Sequence, residues 1–270
     1  MPTLVFIVRF VRPIVLCSLL AGCATVPYTG RSQLNLLPDD EMLSMSLKSY
    51  REVLSESTIS GDAAATAELE AVGRRIAAAA EEFMREQGQG DQAGSYQWEF
   101  TLIEDEEANA WCMPGGKIAF YTGILPYTRD ADGMAVVMGH EVAHAVARHG
   151  NERMSQALLA ELGAVALSEA LQEEPEETRD LWLAAYGLGA EFGLLMPYSR
   201  SHEYEADKIG LLITAKAGYD PRAAIPFWRR MMAEEDGGSL PAFLSTHPAT
   251  EARIAEIERM IPEAMAYGGR

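Results

Sequence analysis

Hydrophobic positions recur at three- and four-residue spacing over most of this chain, and only a central stretch changes to the make-up of strands. Asp39 and Asp40 open a helix that runs to about Val53, and a Ser/Thr/Gly linker follows at 55–61. A second helix, rich in Ala and Glu, extends from Asp62 to Gln87, where Gly88-Gln89-Gly90-Asp91 breaks it. Residues 97–103 (QWEFTLI) have the aromatic and β-branched composition of a strand. Residues 108–113 are a second extended segment, Pro114-Gly115-Gly116 makes a turn, and 117–124 (KIAFYTGI) is a further strand. Residues 131–148 then read as one amphipathic helix, with Val136, Val137, Met138, Val142 and Val146 among its apolar positions. Asp130 and Asp132 are its candidate N-caps, and His149-Gly150 its candidate stop.

Beyond Gly150 the pattern predicts helices over 152–171, 201–217 and 221–235, and a last one running to Met260. Residues 181–196 (LWLAAYGLGAEFGLLM) are more apolar than a surface helix, yet too short to cross a bilayer with Glu191 inside, so a buried core helix is expected. The fold class expected is α+β, mainly helical, with a small antiparallel sheet beside the 131–148 helix.

Composition narrows the setting. With 48% hydrophobic and 23% charged residues, the 270-residue chain suits a globular domain. Its formal net charge of −18 repels phosphate backbones, which excludes nucleic acid as a partner. Arg9 and Arg12 flank a short apolar stretch ending in Leu20-Ala21-Gly22-Cys23, which resembles the bacterial lipobox. That resemblance implies a signal peptide over 1–22, lipidation of Cys23, a lipidated tether over 23–38 and a single domain over 39–270. Several acyl chains, each methylene contributing about 0.8 kcal/mol, would hold the chain on a membrane. Ala24 is similar to the outer-membrane sorting default of Gram-negative bacteria. Cys112 is then the one thiol left, so no disulfide is expected, and it reads as a small apolar residue rather than a nucleophile.

The chemistry is concentrated at His140-Glu141-Val142-Ala143-His144. Positions four apart share a helix face, so His140 and His144 can present two imidazoles to one metal ion. Glu141 sits about 100° round the helix, where it can reach a water as a base without being a ligand. Catalytic zinc usually takes three protein ligands, so a third is needed. His149 lies about 500° past His144 on an unbroken helix, and reads as a helix-end histidine favoured by the dipole. A metzincin would need glycine at 147 and histidine at 150, where this chain has Ala147 and Gly150. In Ser201-His202-Glu203-Tyr204-Glu205-Ala206-Asp207, Glu203 and Asp207 share a face while Glu205 points away. Glu203 suits the third ligand position, against the alternative of a solvated pair with Arg200. Asp207 could accept a hydrogen bond from the free ring nitrogen of a ligating histidine.

HEVAH, followed about sixty residues later by SRSHEYEAD, resembles the family of HtpX-like heat-shock peptidases, type I CAAX prenyl endopeptidases and Oma-type mitochondrial peptidases. The stretches NAWCMPGGKIAFYTGIL, YTGRSQLNLLP and STHPATEARIAEI are similar to that family too. The resemblance implies a zincin-like gluzincin with one zinc per chain held by His140, His144 and Glu203, Glu141 as base and Asp207 behind the ligands. It further implies the lipoprotein branch, on the periplasmic side of the outer membrane of a Gram-negative bacterium. The expected function is a zinc endopeptidase degrading misfolded or stalled envelope proteins. Its substrate would be unfolded or extended polypeptide laid along the strand at 117–123. The alternative is a chaperone-like assembly factor working with the outer-membrane assembly machinery, with proteolysis minor or latent. His247, on a loop before the last helix, is expected to close the zinc's fourth position, to donate to the oxyanion, or simply to cap the helix.

Overall fold

The computed structural model describes residues 23–172, 174–190, 196–236 and 241–269. Strands β1 (Cys23–Thr25) and β2 (Ser32–Leu34) form an antiparallel hairpin. Helices α1 (Asp39–Glu56), α2 (Ala63–Glu86) and α3 (Gly90–Ser95) precede strands β3 (Glu99–Ile103), β4 (Ala110–Met113) and β5 (Lys117–Tyr121). A 3₁₀ turn at Thr122–Ile124 and the short α4 (Leu125–Thr128) lead into α5 (Ala131–Val146). Then come α6 (His149–Ala170), α7 (Glu176–Ala190), α8 (Met196–Lys216), α9 (Ala224–Asp236), α10 (Ala242–Thr246) and α11 (Glu251–Gly268). The mainly helical α+β class is as expected. The chain divides into two compact units, one of Met1–Pro38 with Gly150–Met196, the other of Asp39–His149 with Pro197–Arg270.

In the second unit, α2 starts where Asp62 accepts hydrogen bonds from the N–H groups of Ala64 and Ala65, both at 3.0 Å. Leu69, Val72, Ile76 and Phe83 form its buried stripe. At Gly73 a Cβ would sit 2.4 Å from the Phe100 ring, so glycine there lets α2 close onto β3. The sheet has the order β3-β5-β4 and is mixed. β4 and β5 pair antiparallel, with Ala110 opposite Phe120, whereas β3 and β5 run parallel, with Glu99 opposite Lys117. An all-antiparallel sheet is therefore corrected. Two successive reversals, at 104–109 and 114–116, leave β5 pointing the way β3 does, and β5 takes the middle place. Gly115 and Gly116, with φ of 87° and 86°, supply the left-handed backbone of the second reversal. β5 stops at Tyr121 rather than Ile124 because Pro126, in the first turn of α4, sets a helical start just beyond it.

Helix α5 begins where Asp130 accepts from the Gly133 N–H at 2.9 Å. It is buried on nearly all sides rather than along one stripe. Its backbone touches that of α8: a Cβ at Gly210 would lie 2.9 Å from His140 Cα, and one at Gly139 would lie 2.8 Å from Gly210 O. This glycine-to-glycine crossing sets the His140 turn against the turn of α8 that carries Glu203 and Asp207.

In the first unit, the Tyr186 hydroxyl of α7 donates to Ala160 O of α6 at 3.1 Å. Leu181 and Trp182 are 70% and 56% exposed, which corrects the expectation of a buried core helix at the start of 181–196, while 191–195 lie outside the described residues. A helical hairpin covers only one stripe of each helix, so apolar composition exceeds what the packing buries. Among the described residues, no helix is long and apolar enough to cross a membrane.

Candidate metal centre

One turn of α5 separates His140 and His144, and their Nε2 atoms lie 3.1 Å apart. Two imidazole nitrogens that close need a shared proton or a shared cation between them. Glu203, from α8, adds two further edges, one to each carboxylate oxygen: Oε2 is 3.4 Å from His140 Nε2, and Oε1 is 3.4 Å from His144 Nε2. Tetrahedral zinc with bonds of 2.0–2.1 Å separates neighbouring ligand atoms by about 3.3 Å. The three edges fit that spacing, and two imidazoles with one carboxylate fit zinc chemically. His247 lies in the same cluster, and these four residues could hold a metal ion.

His247 ends α10, where its N–H donates to Phe243 O at 2.9 Å. Its Nδ1 is 2.9 Å from Glu203 Oε2 and 3.2 Å from His140 Nε2, and its Nε2 is 3.4 Å from Glu141 Oε1. Glu141 is 4% exposed, and its Oε1 makes no hydrogen bond. Burial pushes the Glu141 carboxyl above its ordinary range, with His247 and His140 pulling back only in part. A buried carboxylate kept in that condition is well suited to take and return a proton.

Behind the cluster, Asp207 Oδ1 stands 3.0 Å from His140 Nδ1, at ion-pair distance without the alignment of a good hydrogen bond. Arg253, from α11, grips Asp207 through Nε at 2.7 Å and Nη2 at 2.8 Å, and its Nη2 also reaches Glu203 Oε2 at 3.0 Å. The guanidinium is stacked 3.9 Å from the Trp228 ring centroid, so its orientation is fixed by packing as well as by charge. Burial works against ionising His140, yet the close carboxylates of Asp207 and Glu203 outweigh it and raise the imidazole to about 9 on the protein's own charges. Burial also disfavours the Glu203 carboxylate, but His144, His140 and His247 hold it well below the usual range. His144, with burial acting against its charged form, stays well below its ordinary value.

Two expectations change here. His149 is not a C-terminal histidine of the α5 helix. Helix α5 ends at Val146, Arg148 takes a φ of +60°, and His149 opens α6. That break swings the ring back, so its Nδ1 lies 2.9 Å from His144 Nδ1. Glu205 does not point away, since its Oε2 meets His149 Nε2 at 3.1 Å. Glu203 faces Arg253 rather than Arg200, which is exposed. Cys112 lies on β4, where burial and the nearby Glu141 push its thiol well up, in keeping with a packing residue. Cys23 opens β1, and the signal-peptide expectation for 1–22 lies outside the described residues.

A model of peptidase family M48 matches residues 64–261. The chain belongs to peptidase family M48. M48 peptidases are zinc-dependent, and residues 64–261 are a zinc metallopeptidase domain. The M48 chain is 35% identical over 243 residues to mitochondrial metalloendopeptidase OMA1 of Schizosaccharomyces pombe, covering 88% of this chain and 66% of that protein. It is 34% identical over 175 residues to metalloendopeptidase OMA1, mitochondrial, of Homo sapiens, covering 62% and 33%. It is 28% identical over 165 residues to the beta-barrel assembly-enhancing protease of Escherichia coli, covering 58% and 33%. The chain thus spans between a third and two thirds of these relatives' lengths.

These relatives overturn the expected location on the periplasmic side of a Gram-negative outer membrane, because the two of higher identity are mitochondrial by name.

Proposed function

We propose that this M48 chain is a zinc-dependent endopeptidase of unfolded or extended polypeptide, with His140, His144 and Glu203 as metal ligands and Glu141 as general base. The observation that carries this is the convergence of three ligand side chains, with two imidazole Nε2 atoms 3.1 Å apart and each 3.4 Å from an oxygen of Glu203, and a buried, incompletely hydrogen-bonded carboxylate beside them. Zinc, when bound, supplies the Lewis acidity that makes a water nucleophilic and a peptide carbonyl electrophilic. Glu141 accepts the proton released at that water and passes it to the leaving amine. Asp207 orients His140, and Arg253 keeps Asp207 and Glu203 ionised and aligned.

The strand at 117–121 is the middle of its sheet, which corrects it as the place for substrate. Its backbone groups are already engaged on both sides. β4 is the edge strand packed beside α5, and Cys112 on it lies close enough to Glu141 to feel its charge. An extended peptide adding to β4 would pass the base through main-chain hydrogen bonds. Packed helices and paired strands cannot offer their backbone in that way, which selects unfolded segments. His247, wedged between Glu203, His140 and Glu141, would serve as a further ligand to the metal and would move aside as substrate enters.

The test is Glu141→Gln. The variant should bind zinc as the parent does and lose about 10²- to 10⁴-fold in casein cleavage. Cleavage at the parent rate with zinc retained would sink the mechanism.

A further inference from the structure

Beside the metal centre lies a second set of buried polar groups that the reaction above does not use: His149, Glu205 and His202. Glu205 is 3% exposed and His149 2% exposed. The His149 ring lies flat against His202, with centroids 4.2 Å apart and planes 14° from parallel. Held in that orientation, it presents Nε2 to Glu205 Oε2 at 3.1 Å and Nδ1 to His144 Nδ1 at 2.9 Å.

We propose that Glu205 and His149 are positioning residues that set the tautomer of His144, a role that rests on reading His144 as a metal ligand. The protons are assigned for neutral imidazole rings. A carboxylate only accepts, so His149 must carry a proton on Nε2 to face Glu205. A neutral His149 then has a lone pair on Nδ1, and at 2.9 Å the facing Nδ1 of His144 must donate to it. With its one proton on Nδ1, neutral His144 has a lone pair on Nε2, the atom that lies 3.4 Å from Glu203 Oε1 in the metal cluster. The opposite assignment would turn His149 Nε2 as a lone pair toward a buried carboxylate and put an N–H of His144 into the metal position. Low polarity around the pair makes that alternative costly. His140 has its own carboxylate in Asp207, 3.0 Å from its Nδ1. Among the described residues, His144 Nδ1 meets the His149 ring rather than a carboxylate, and the Glu205–His149 relay supplies the same service across that ring. The break at Arg148 is what makes this possible, because a continuous helix would carry the ring at 149 to another face.

The experiment uses the full chain and zinc alone as probe. Zinc affinity is measured by competition with a chromophoric chelator for the parent, H144A, H149L, H149Q and E205L, with folding checked by circular dichroism. H149L and E205L should weaken zinc binding 10- to 100-fold while staying folded, and H149Q, whose amide oxygen can accept from His144, should recover part of the loss. Long-range ¹H–¹⁵N correlation on the metal-free, histidine-labelled parent should place the His144 proton on Nδ1, a readout that stands even where a variant fails to fold. A proton on Nε2 of His144, or parent affinity in folded H149L, overturns the relay. If folded H144A keeps parent zinc affinity, the ligand assignment itself fails. If H144A loses zinc while H149L keeps it, the relay alone fails.

Discussion

Arg253 carries the most weight among residues whose role the sequence did not disclose. It is a single cation serving two buried carboxylates, and it stacks on Trp228. Removing it takes the guanidinium from Asp207 and Glu203 and leaves them to the imidazoles, so Arg253→Leu should destabilise the metal-free fold by about 3–5 kcal/mol, read by urea unfolding. Arg253→Lys keeps the charge but not the two-armed grip, and should fall between. His247 can be judged at the same scale. If it closes the fourth corner, His247→Ala should cleave casein faster than the parent at equal zinc loading, whereas a rate below the parent would make it a helper of the reaction. His140, Glu141 and His144 were legible because one helix places them, and helical geometry is known in advance. Arg253 was not, because its partners lie 46 and 50 residues away on another helix, and only packing brings them together.

At the scale of elements, the crossing of α5 and α8 decides whether the ligands meet. Gly139 and Gly210 let the two backbones touch, and a methyl group at 210 would press on His140 Cα at 2.9 Å. Gly210→Ala should therefore cost about 1–3 kcal/mol in unfolding free energy and weaken zinc binding as His140 is pushed from Glu203. Unchanged stability and zinc affinity would show that the helices can part without consequence. Helix and strand positions followed from periodicity, and the Pro-Gly-Gly reversal was visible at 114–116. Strand order was not. Neither the alternation in 117–121 nor that in 97–103 says which strand lies in the middle, since that depends on how two reversals fold back on each other. The kink at Arg148 was equally hidden, because a non-glycine residue at positive φ leaves no compositional mark.

For the whole molecule, the metal centre belongs to one compact unit, and the chain leaves it after His149 and returns at Pro197. The residues proposed to bind zinc therefore lie on both sides of that excursion. A cation held by both halves should stabilise the unit, by about 4 kcal/mol when free zinc exceeds its dissociation constant a thousandfold. Chelation should accordingly lower the melting temperature as well as abolish cleavage, and readdition of zinc should restore both. By itself the sequence determined the His140-to-His144 spacing, the metallopeptidase class with its zinc and the helical make-up, because each depends on local spacing or summed composition. Only the tertiary structure decided that His149 returns to His144, that Glu205 turns inward, that Arg253 balances the carboxylates and that β4 is an edge strand beside α5. Those facts rest on contacts between segments far apart in the chain, and local periodicity carries no record of which distant partner packing will choose.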